Sequence, residues 1–222
     1  AFLRSLRPST VIDDVHLVPG LLPELDVLAE RIRTPGTILA VASRSGLLAV
    51  SRSTDLRRLP RIRISSMTQG EMRDRVGRFI PAVFAGDPTD WPFEMLSLDD
   101  YVDLTLGGGL PDLAAMPDPQ LRVDAYTQTI DQILSTVTPQ ESMALRRILD
   151  LVLGRGSAQV VLDRDGNDLG LRAVELLQGL ETLEALGLVR LSPAWTRFRR
   201  IDGTVRAYAR DGGYLAALIG SV

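Results

Sequence analysis

The first third of the chain carries short apolar runs, and the rest carries apolar residues at helical spacing. Residues 9–12 ("STVI") read as a buried strand. Residues 23–33 ("PELDVLAERIR") open on proline and place Leu25, Leu28, Ala29 and Ile32 on one helical face. Residues 37–42 ("TILAVA") read as a second buried strand. Strand, helix, strand within so short a span is a βαβ unit, and continuous apolar strands predict a parallel sheet covered on both faces. The alternating "RIRIS" at 61–65 is expected to add a third strand. The segment therefore has the look of the later part of an α/β domain.

From residue 68 to 135 the pattern is helical, with Pro- and Gly-bearing breaks at 86–92 and 107–119 that separate helices. Thr138-Pro139-Gln140-Glu141 has the form of a capping box opening a helix to about residue 153. Residues 171–186 form another amphipathic stretch closed by Gly187, and "RFRRIDGTVRAYA" is expected to be a hairpin turning at Asp202-Gly203, a dipeptide suited to a type I′ turn. Helix, helix and hairpin is the order of a winged-helix module. The chain thus divides into 1–66, 67–135 and 136–222.

Composition narrows the chemistry. All 25 basic residues are arginine, which excludes a P-loop lysine or a lysine nucleophile within these 222 residues. Cysteine is absent and His16 is the single histidine, so thiolate catalysis and Cys- or His-rich metal sites are excluded, and a Ser-His-Asp triad would have to use His16. The net charge of −3 conceals a division: arginines against acids number 10 and 6 over residues 1–66, 4 and 12 over 67–135, and 11 and 10 over 136–222. The acidic middle suggests surfaces of different character. No apolar run is long enough to span a bilayer and no secretory signal is recognisable, so a cytoplasmic protein without a membrane partner is expected.

Asp13 and Asp14 follow the first strand directly. Ligands of open parallel sheets sit at the carboxyl ends of strands, where a carboxylate with water and phosphate oxygens makes a normal Mg²⁺ set and a second acid orients a water. The alternative is that both acids cap the turn that follows.

The strand and double acid with "VHLVPGLL", then "TILAVASRSGLL", then "LRRLPRIRISSMTQGE" resemble the second half of the nucleotide-binding core of bacterial and archaeal AAA-superfamily ATPases that carry an appended domain of unknown function. "LGGGLPDL" is similar to that family's Gly-Gly-aromatic-Pro turn, "AYTQTI" to its Tyr-bearing helix, and "LETLEALGLVRLSPAW" through "YLAALIG" to its winged-helix segment. The resemblance covers nearly the whole chain and implies a partial P-loop (AAA/RecA-like) parallel sheet, a helical region and a winged-helix-like module. It implies Asp13 as the Mg²⁺-associated acid, Asp14 at the catalytic glutamate's position, Ser43 at the γ-phosphate sensor and Arg58 at the basic position before the last strand. ATP and Mg²⁺ are the implied ligands of the full-length product, a homo-oligomer the implied assembly, and a protein client or DNA the implied partner.

Departures from the family pattern set limits. Asp14 is one methylene shorter than glutamate, so the water it would orient sits differently. Ser66 replaces the proline of the family's turn. The phosphate-binding loop lies upstream of the acid pair in the family, and with only twelve residues before Asp13 the chain reads as a fragment or a remnant, inactive alone.

Among the remaining signals, "DRDGND" at 163–168 begins like a calcium loop but lacks the later glycine and glutamate, and reads as a polar turn. Arg190, Arg197, Arg199, Arg200, Arg206 and Arg210, interleaved with Trp195, Phe198 and Tyr208, would suit a phosphate backbone or form a solvated ribbon. The alternative function is accordingly a non-enzymatic protein- or nucleic-acid-interaction module. His16 is expected to be a hydrogen-bonded structural residue.

Overall fold

A computed structural model describes residues 9–18, 20–31, 34, 36–43, 46, 60, 62–75, 79–86, 96–155, 159–195 and 200–220. The fold is mixed α/β, with one sheet of two strands and one of three. The chain divides into two compact units, residues 1–64 with 185–187 and residues 65–184 with 188–222.

In the first unit, β1 (Thr10–Ile12) pairs in parallel with β2 (Ile38–Ala40), Val11 facing Leu39 in register. Between them come a helical turn at Val15–Leu17 and helix α1, Leu21–Arg31. Val15, Leu22 and Leu25 are buried, with Ile12, Leu28 and Ile38 packed around them; of the face read from the sequence, Leu25 and Leu28 are covered, Ala29 is exposed and Ile32 lies outside the described residues. The opposite face is not: Val11 is 62% exposed and Leu39 52%. The third strand expected at 61–65 does not form over the described residues 62–65, where Ile62 and Ile64 are 86% and 85% exposed.

The second unit opens with two short helices, α2 (Gln69–Met72) and α3 (Phe79–Ala85). Helix α4 (Leu98–Gly107) starts from a full capping box between Ser97 and Asp100. After the turn helix α5 (Pro111–Ala114), helix α6 (Pro119–Leu134) starts where the Asp118 carboxylate accepts from the backbone N–H of Gln120 and Leu121. Helix α7 (Pro139–Gly154) starts where the Thr138 hydroxyl accepts from Glu141 N, at the position the sequence indicates. Beyond it run β3 (Gln159–Val161), α8 (Leu162–Leu169), α9 (Ala173–Leu186), β4 (Val189–Trp195), β5 (Arg200–Ala209) and α10 (Gly212–Ile219). The three strands are antiparallel in the order β3-β5-β4. Tyr126, Ile130, Ile148, Leu149, Leu153, Val160, Leu176 and Leu180 are among the fully buried side chains that join these helices to the sheet.

Two local readings change. Asp202-Gly203 lies inside β5, and β4 and β5 connect through 196–199 instead. The register slips between Pro193 and Trp195, and Gly203 has φ +66°, so the dipeptide's tolerance of positive φ serves an irregularity of the ladder and not a hairpin turn. "DRDGND" is helical, forming most of α8. Asp165 is fully buried there, accepting from Arg155 and Arg164 at 2.9 Å each and from Val161 N at 2.8 Å. Charge pairing, in place of calcium ligation or a solvated turn, accounts for this acid.

Candidate functional site

The two acids stand at the carboxyl end of β1, as their sequence position requires. Asp13 accepts the backbone N–H of Asp14 at 2.9 Å, and Asp14 takes the left-handed conformation at φ 48°. That turn is one aspartate tolerates better than most residues, and it leads directly into the helical turn holding His16. Both carboxylates are solvent-exposed, Asp14 by 61%.

Ser43 lies three residues beyond β2, the parallel neighbour of β1, and is brought to the same edge. Its hydroxyl oxygen accepts from Gly46 N at 3.1 Å and lies 3.5 Å from His16 Nε2. His16 Nδ1 in turn stands 3.9 Å from Asp14 Oδ1. His16 Nδ1 is buried with no hydrogen-bond partner, and the ring lies between Asp14 and Ser43 without bonding the acid. A Cβ on Gly46 would collide with the His16 ring, so the glycine is what lets the backbone close over the imidazole.

The other expected site residues divide. Arg58, Arg197 and Arg199 lie outside the described residues, and of Arg200 only its place at the start of β5 is described. Arg206 is exposed, opposite Gln159 on one side and Ser192 on the other. Among the described residues no group of three or more His, Cys, Asp or Glu side chains converges on a common point.

Sequence reasoning missed a buried polar knot in the second unit. Asp211, 5% exposed, accepts from Gly109 N at 3.0 Å and from Gly213 N at 2.9 Å, which caps α10. Fully buried Tyr126 donates to Gly107 O and accepts from Leu110 N, each at 3.3 Å, and its ring meets Tyr214 edge-on at 5.5 Å. Burial first, and then the Asp211 charge, push the Tyr126 hydroxyl well above the usual phenol range. The "LGGGLPDL" glycines are the visible signal of this knot. Gly108 sits at φ +66°, and a Cβ there would strike the Tyr126 hydroxyl and Asp211. A Cβ on Gly109 would strike Met67 O, the neighbour whose N–H donates to Gly109 O at 2.7 Å.

Residues 98–221, more than half of the chain, match the family described as a domain of unknown function, DUF8612, and the chain belongs to that family. No curated protein and no solved structure matches it. No helix among the described residues is long and apolar enough to cross a membrane.

Proposed function

We propose that the chain is part of an AAA-type ATP-binding protein, with residues 1–66 the distal half of a P-loop core and residues 136–222 a winged-helix-like module. The observation that carries this reading is the gathering of Asp13, Asp14 and Ser43 at the carboxyl edge of two parallel strands. Asp13 would hold Mg²⁺ and Asp14 would face the attacking water. Ser43 would meet the γ-phosphate, and Arg58 would supply positive charge beside it. The donor set suits Mg²⁺, which takes one or two carboxylates and completes its shell with water and phosphate oxygens. The bound metal would neutralise phosphate charge, while the protein's part is to hold the carboxylates and the Ser43 hydroxyl in place.

Further support comes from the uncovered Val11–Leu39 face, because parallel sheets are ordinarily covered on both sides. With no lysine in the 222 residues, the phosphate-binding loop would have to come from outside them. The winged-helix assignment rests on the order α7, β3, α8, α9, β4, β5 and on the strand order β3-β5-β4. The experiment is ATP binding by the complete gene product: Asp13→Ala should remove the Mg²⁺-dependent part of the affinity, and undiminished affinity in that variant contradicts the assignment.

A second reading has an observation of its own. Arg190 pairs across the ladder with Tyr208, and Ser192 with Arg206, on the exposed side of the β4–β5 ribbon. Basic and aromatic side chains on one strand face suit a phosphate backbone. DNA binding that falls steeply with salt and weakens in Arg206→Ala would favour this interaction module.

A further inference from the structure

The second unit contains a cleft of about 580 Å³, within the range of small-ligand sites. Its floor is the glycine loop, Gly108 and Gly109, with Asp211 and Gly212. One wall is the turn following α2 and the other is α4, which contributes Tyr101 and Leu104. Three arginines, Arg73, Arg75 and Arg210, line it.

The fold places these arginines by specific means. Arg73 N and Arg75 N both donate to Gly70 O, at 3.2 and 2.7 Å, with Asp74 between them at φ 53°. This tight turn brings both side chains to the cleft. Arg210 N donates to Leu188 O at 3.1 Å, and its Nη2 is steadied by Ser65 Oγ at 2.8 Å. Arg73 also feels the charge of Asp100. A guanidinium carries five N–H donors in a planar fork, so contacts with protein and with an anion coexist.

We infer that this cleft binds a small phosphomonoester with an aromatic or apolar body. The charge lining it is three arginines against the one buried carboxylate of Asp211, whose oxygens are engaged by backbone N–H groups. Three planar guanidinium forks suit the several oxygens of a phosphate better than the two of a carboxylate. Met67, Leu96, Tyr101 and Leu104 provide the apolar surface for the remainder of the ligand. The glycines of the floor are fixed by packing: at Gly212 a Cβ would strike Thr105 O. The inference is independent of the ATP reading, since none of these residues belongs to the first unit.

The test uses phenyl phosphate with the full chain, read by calorimetry and by amide chemical shifts. Saturable binding is expected, with perturbed amides at Gly108, Gly109 and Gly212 and weaker binding of phenylacetate. Arg75→Ala should lower the affinity about tenfold, the loss of one charge-assisted contact, and Arg73→Ala with Arg75→Ala together should lower it further. Both side chains are exposed, so the variants should retain the fold, which the spectrum checks. Asp13→Ala should leave binding unchanged. No saturable binding up to about 10 mM, equal affinity in the double variant, or perturbed amides confined to the first unit would each overturn the inference.

Discussion

Asp211 is buried at the start of α10, where its carboxylate oxygens accept from the backbone N–H groups of Gly109 and Gly213. Asp211→Ala leaves those donors without their acceptor and should cost about 3 kcal/mol in a urea titration. Gly108→Ala should cost about 2 kcal/mol, since it combines a positive φ with a collision at Tyr126 and Asp211. Equal midpoints for either variant and the parent would contradict the knot described here. At the acid pair the prediction is functional. If Asp14 faces the attacking water, Asp14→Glu should raise ATP turnover by the complete gene product, because the longer side chain restores the reach of a glutamate. Unchanged or lower turnover would remove Asp14 from that role. These positions were legible to different degrees: Asp13 and Asp14 announce themselves by following an apolar run, whereas Asp211 and Tyr126 are 85 positions apart in the sequence and are brought together only by the fold.

At the scale of elements, helices were legible where a cap and an apolar stripe coincide, as at Thr138-Pro139. The strands at 9–12 and 37–42 were legible as continuous apolar runs, whereas the alternation of "RIRIS" leaves Ile62 and Ile64 in solvent. Asp202-Gly203 misled because positive φ is needed in bulged strands as well as in turns. Helix α8 was hidden because its acids resemble a loop until Arg155 and Arg164 are brought against Asp165. Burial opposes ionisation of that carboxylate, but the hydrogen bonds from Arg164, Arg155 and Val161 N outweigh it and hold the group below the usual carboxylate range. A carboxylate with a depressed folded-state pKa contributes stability that is complete above the unfolded value of about 4 and is lost as pH falls through the folded value. Stability measured from pH 6 downward should therefore fall below about pH 4, and less steeply in Asp165→Asn. Parallel curves for the two proteins would show that Asp165 plays no part. In the same region Leu180→Ala, at a fully buried position of α9, should cost about 3 kcal/mol.

The whole molecule is two units of different character. One is a small parallel sheet with an uncovered apolar face and carboxylates at its carboxyl edge. The other is a helical body around a three-stranded antiparallel sheet, and most of the DUF8612 match falls in it. The family relationship gives the chain its membership and carries no chemistry with it. Periodicity made the mixed α/β class readable. It did not indicate the uncovered face, because a strand buried on one side and a strand buried on both read alike over three residues. The claim on which the functional account depends is that the edge bearing Asp13 and Ser43 is half of a nucleotide site. The direct measurement is titration of the complete gene product with ATP in Mg²⁺ and again in EDTA. Saturable binding that requires Mg²⁺ is predicted, and affinity that is absent or indifferent to Mg²⁺ would contradict the account.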